Sequence, residues 1–195
     1  MHRIFSTCVE TAIAAVPLIP IFLYLNNSKF HSIKTTLTAL LFALYLAAVY
    51  AMVGLPNILY ARFDPHFNFT PFQYMFSDET TILNVLLFLP LGFFLPVLRS
   101  KFRTFGATVL FGFCMSLFIE ILQIFTYRAT DINDLMTNTA GTILGYFAGR
   151  LLLKTFPGIV LTEETKELRT ICFTVLLVMF FVQPFLSSLI WNLIY

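Results

Sequence analysis

Thr35 to Leu55 runs for 21 residues without a single charged side chain. At 1.5 Å per residue such a stretch covers roughly 30 Å, the hydrocarbon thickness of a bilayer. Similar stretches begin at Ile4 or Val9 and end at Leu25, and run from Ile82 to Leu98, Thr104 to Thr126, about Asp134 to Leu153, and Thr170 to about Asn192. A chain with apolar runs of this length must hydrogen-bond its own backbone inside lipid, which leaves helices or a closed barrel. Runs near twenty residues select helices. Only 11% of the 195 residues are charged, against about 25% in soluble domains. The expected fold class is therefore all-α: one polytopic membrane domain over residues 1–195 with about six transmembrane helices, five in the core reading.

The connections differ in kind. Asn26 to Lys34 is short and polar, and Lys154 to Arg169 is charged. Pro56 to Thr81 is broken by prolines but rich in aromatics: Tyr60, Phe63, Phe67, Phe69, Phe72, Tyr74 and Phe76. Aromatic rings favour the membrane interface, so this loop is expected to lie on the surface or to re-enter it under protein cover. Trp191 and Tyr195 would anchor the last helix in the same way. Pro17 and Pro20 are expected to kink the first span.

With six spans the loops alternate between sides. One side carries Lys29, Lys34, Arg99, Lys101, Arg103, Arg150, Lys154, Lys166 and Arg169; the other carries Arg3, Arg62 and Arg128. The positive-inside rule puts the first group in the cytoplasm and both termini outside the cell. The inner side then bears ordinary solvated basic loops. No basic run suggests nucleic acid. Cys8, Cys114 and Cys172 lie in apolar segments without metal-ligand spacing and read as small buried hydrophobes. No cleavage site follows the first apolar run, so it is expected to be retained as a helix.

Against this apolar background stand Asn84, Glu120, Gln123, Arg128, Asp131, Asp134 and Asn138. Ionisable groups at membrane depth are costly and mark function by default. Glu120 and Gln123 share a helix face, as do Asp131, Asp134 and Asn138 if their helix starts early. One of the two aspartates could instead cap that helix, and Arg128 could simply pair with an acid at the helix ends. In the expected orientation all of these groups, with Glu10, lie towards the outer leaflet. Glu120, Asp134 and Asp131 are the candidates for acid/base catalysis. The same oxygens could hold a divalent cation. Arg128 would meet an anionic group, and Asn84, Gln123 and Asn138 would orient a ligand. No nucleophile comes with its own base: Ser116 lies one turn before Glu120 without a histidine. His66, in the loop, could join the site, although a solvated surface histidine is the commoner reading. Gly141, Gly145 and Gly149 recur every four residues and form a seam for close packing against another helix.

Asn84-Val-Leu-Leu-Phe-Leu-Pro-Leu-Gly92, Ser116-Leu-Phe-Ile-Glu120-Ile-Leu-Gln123, Arg128, Asp131-Ile-Asn-Asp134 and Asn138-Thr-Ala-Gly141-Thr-Ile-Leu-Gly145, with Thr70-Pro71-Phe72, resemble the VanZ-like family over about Leu55 to Leu153. The resemblance implies a small multi-pass protein in the cell membrane of mainly Gram-positive bacteria, a cell-envelope setting and a link to teicoplanin resistance. It supplies no molecular activity. Three functions stay open at this point: recognition of a membrane lipid or lipid-linked envelope component, hydrolysis or group transfer on a lipid-linked precursor, and a small transporter or partner-docking module whose glycine seam meets a helix of another protein.

Overall fold

The computed structural model describes residues 2–72, 79–126, 128–156 and 165–194. It is helical almost throughout: α1 (His2–Leu25), α2 (Ile33–Val53), α3 (Glu79–Leu98), α4 (Phe105–Gln123), α5 (Ile132–Thr155), α6 (Thr165–Leu177) and α7 (Gln183–Ile194). The one sheet among the described residues is a parallel pair, β1 (Phe67–Asn68) with β2 (Thr130–Asp131). Among the described residues five helical stretches are long and apolar enough to cross a membrane: Ile4–Phe30, Ile33–Val53, Thr80–Leu98, Phe105–Gln123 and Leu168–Leu193. The chain is thus an all-α polytopic membrane protein. The chain sorts into two compact units, residues 1–62 with 164–195, and residues 63–163.

In the first unit α1 and α2 form an antiparallel hairpin. The turn between them is helical rather than an open loop. A π-helical turn, Asn26–Phe30, extends α1, and His31 then adopts a left-handed conformation with φ 49°. The Thr36 hydroxyl lies 2.8 Å from Asn26 Oδ1 and ties the two helices together. Gly54, at φ 65°, ends α2, a position that favours a residue without Cβ. The Tyr50 hydroxyl donates to the Pro56 carbonyl just beyond. The last span also departs from a plain helix. A π-helical stretch, Val178–Val182, separates α6 from α7 immediately before Pro184. Proline has no N–H for the carbonyl four residues back. That carbonyl, on Phe180, accepts from the Ile58 N–H at 3.2 Å instead.

In the second unit α5 lies against both α3 and α4. It is long enough to span, yet too polar on average to count among the five. Its residues divide by face: Asn138, Gly141, Thr142 and Gly145 are buried, whereas Leu144, Phe147 and Leu151 are exposed. The polar groups meet protein and the apolar ones face outward, the arrangement a membrane-embedded helix needs. α5 also begins two residues before the expected start, because Asp131 caps it. Its side chain accepts from the Asn133 N–H at 2.8 Å.

The glycines of α5 meet α3 of the same unit. A Cβ at Gly141, Gly145 or Gly149 would fall on the backbone of Val85, Leu89 or Phe93 respectively, and one at Gly92 on the backbone of Thr142. The constant offset among the pairs formed by Gly141, Gly145 and Gly149 makes α3 and α5 parallel neighbours in close approach, a contact that gains from dispersion and from Cα–H···O bonds. On the other side Gly112 of α4 accommodates the Thr142 side chain. Arg99, expected among solvated basic residues, is instead only 3% exposed after α3, where its N–H still donates to the Leu95 carbonyl. Within the aromatic loop Tyr60, Phe63, Phe67, Phe69 and Phe72 are exposed. Tyr74 and Phe76 lie outside the described residues.

Candidate functional site

The site is built where the end of α4 folds back onto the start of α5. After Gln123 the chain turns, Thr126 Oγ1 donating to the Gln123 carbonyl at 2.9 Å. It then returns in an extended conformation beside β1, with the Thr130 N–H bonded to the His66 carbonyl at 2.8 Å. This return brings Asp131 to Glu120. Glu120, 3% exposed, accepts the Asp131 backbone N–H on Oε2 at 2.8 Å, and its own carbonyl accepts the Thr130 hydroxyl at 3.0 Å. One oxygen of the buried carboxylate therefore holds the loop. The other, Oε1, is buried without a hydrogen-bond partner among the described residues.

Asp131 uses both of its oxygens as fasteners. Oδ1 caps α5 through Asn133, and Oδ2 accepts from Asn68 Nδ2 at 2.9 Å, which clamps β1 to β2. Of the two roles weighed for the aspartates, the cap belongs to Asp131. Asp134 occupies the first turn of α5, where the helix dipole favours a carboxylate. Gln123 is 2% exposed, and Gln123, Arg128 and Asp134 each engage neighbours.

One turn further along both helices, Asn138 donates through Nδ2 to Ser116 Oγ at 2.9 Å, both side chains being buried. Its Oδ1 is buried and unpartnered. Asn84 of α3 reaches the same level, because Val85 lies against Gly141, one turn on from Asn138. Asn84 Nδ2 is likewise buried and unpartnered. Three polar atoms from three helices, Glu120 Oε1, Asn138 Oδ1 and Asn84 Nδ2, are thus left unanswered among the described residues. Two accept and one donates. An unpaired buried polar atom costs on the order of 1–3 kcal/mol, so such a group calls for an occupant.

Sequence reasoning passed over Asn68, Asn133 and Ser116 as parts of this network. Asn133 accepts the Phe72 N–H on Oδ1 at 2.7 Å and donates to the Thr70 carbonyl at 3.4 Å, so it pins the aromatic loop to α5. Phe72 is left-handed there, with φ 64°. The one available signal was the position of Asn133 inside Asp131-Ile-Asn-Asp134. His66 stays apart: its ring is exposed and pairs with Asp64 at 3.1 Å. Among the described residues no three of His, Cys, Asp and Glu are grouped to hold a metal ion. A divalent cation here would have to draw on amide oxygens as well.

No solved structure matches this one. A sequence model of the VanZ/LLP1 family matches residues 42–153. Protein VanZ of Enterococcus faecium is similar to the chain, at 40% identity over 114 residues, which are 54% of this chain and 68% of that protein. The matched region holds every residue of the site, from Asn84 to Asn138, together with the glycine seam that carries it. The chain belongs to the VanZ family.

Proposed function

We propose that the site around Glu120 recognises a lipid-linked or lipid-like component of the cell envelope from the outer leaflet, and that this recognition underlies a contribution to teicoplanin resistance. The observation that carries the reading is the set of three unanswered buried atoms on α3, α4 and α5. A ligand with both a donor and an acceptor, such as a hydroxyl or amide of a headgroup, would answer all three. Arg128 suits an anionic part of the same ligand. The exposed aromatic rings of the neighbouring loop, Phe67 stacked on Phe69 at 5.4 Å and Phe63 beside Phe125, suit an acyl chain or a lipid surface. The acyl chain that distinguishes teicoplanin from vancomycin would give such a site a means of telling them apart.

The test is mass spectrometry of lipids and wall precursors. It compares cells lacking the protein, cells expressing it and cells expressing Glu120→Gln at matched levels, alongside the lipids retained by each purified protein. Glutamine keeps an acceptor for the Asp131 amide but removes the charge. Binding predicts a lipid-linked species that co-purifies with the unaltered chain and falls about tenfold or more with Glu120→Gln, since a hydrogen bond to a charged group contributes roughly 1.5–3 kcal/mol. No species lost on substitution would overturn the reading. A precursor that appears or vanishes only with the unaltered protein would instead make it a hydrolase or transferase, with Glu120 and Asp134 as the acid/base pair.

A further inference from the structure

A second polar centre lies wholly within the first unit. Glu10 of α1 accepts from three side chains of α7: Gln183 Nε2 on Oε2, and Ser187 Oγ at 2.9 Å and Trp191 Nε1 at 3.3 Å on Oε1. The indole N–H can only donate, and the three donors together suit a carboxylate rather than its acid. A carboxylate accepts about four hydrogen bonds, so one place remains. Among the described residues no ion pair reaches Glu10, and no lysine, arginine or histidine lines the cavity beside it. That cavity is about 440 Å³. It is walled by Glu10, Tyr50, Gln183, Ser187 and Trp191, with the exposed Tyr60 at its edge.

Glu10 is half-buried in an apolar helix, is held by neutral donors and has no cationic partner among the described residues, so a positive charge would stabilise it. The aromatic rings of Tyr50, Tyr60 and Trp191 in the cavity lining favour an ammonium group for a separate reason, the attraction of a cation to a ring face. The hydroxyls of Ser187 and Ser188 and the Asn192 amide add oxygens that could accept from its N–H groups. We propose that this cavity binds an alkylammonium group, with Glu10 as its counter-ion and Trp191 and Tyr50 in its wall. The volume leaves room for the rest of a headgroup. Glu10 and the α7 donors lie outside the region matched to the family, whereas Tyr50 and Tyr60 of the same cavity lie within it.

Trp191 is the sole tryptophan, so its fluorescence reports on this cavity alone. The experiment titrates the full chain, purified in a neutral maltoside detergent, with ethylammonium chloride against sodium chloride at equal ionic strength. The expected result is a saturable change with ethylammonium only. The midpoint should rise about tenfold or more in Glu10→Gln, the loss expected for one charged hydrogen bond. Ala51→Leu should weaken binding as well, because it fills the cavity wall without touching the three donors. It carries the test if Glu10→Gln fails to fold. In phosphatidylglycerol vesicles with and without phosphatidylethanolamine, a lipid source predicts a Trp191 signal already at its bound value when phosphatidylethanolamine is present. A free amine predicts the same ethylammonium titration in both vesicles. Absence of a saturable change, or an unaltered midpoint in a folded variant, would overturn the proposal.

Discussion

Asp131 and Glu120, eleven positions apart, share one loop but answer to different demands. Both oxygens of Asp131 are spent on holding the fold, one on the α5 cap and one on Asn68. Asp131→Ala should lower stability by about 1–2 kcal/mol, the usual cost of a lost cap, read as a drop in thermal unfolding temperature in detergent. Asp131→Asn, which keeps an acceptor, should recover most of that. Glu120 has one oxygen on the Asp131 amide and one unassigned, so Glu120→Gln should unfold at nearly the temperature of the unaltered chain while losing its ligand. A large drop in unfolding temperature would place Glu120 in the scaffold instead. The importance of Glu120 was legible in the sequence, because a carboxylate between Ile119 and Ile121 has no ordinary reason to be there. The division of labour was not. Asp131 and Asp134 are equivalent as letters, and only the return of the chain beside β1 decides which of them caps the helix.

Among the elements, α5 carries most of the second unit, and its glycines set how closely α3 approaches. Gly145→Leu would drive a side chain onto the Leu89 carbonyl, where the obstacle is backbone and cannot yield cheaply. Overpacking of this kind costs about 1–3 kcal/mol and occasionally more. The variant should lose protease resistance in residues 63–163. Gly106→Ala is the matching control, since a Cβ there meets nothing within 4 Å, and it should leave unfolding unchanged or slightly raised. The four-residue spacing of the glycines announced a packing seam, because every fourth residue returns to one helix face. The identity of the facing helix was not encoded in that spacing. It follows from the matching small residue on α3, Gly92, and from the parallel run of Val85, Leu89 and Phe93 beside it.

For the molecule as a whole, the distribution of basic residues predicts an orientation that is open to direct measurement. With both termini outside the cell, Arg62→Cys should react with an impermeant maleimide on intact cells in a background lacking the natural cysteines, while Lys29→Cys should react only after the membrane is opened. The reverse pattern would place the Glu120 site on the cytoplasmic side and end the outer-leaflet reading. What the sequence by itself determined is the set of helices and their medium: long uncharged runs can satisfy their backbone in lipid only as helices, whatever surrounds them. It also marked the polar residues too costly to be incidental. What only the tertiary structure decided is which of those residues meet. Asn84 and Asn138 come to one level through the glycine seam, and Glu120 comes to the Asp131 amide beside a two-residue strand pair. Glu10 finds its three donors 173 to 181 positions away. Contacts between such distant positions depend on how helices pack, and that depends on shape complementarity summed over whole faces, which no local pattern contains.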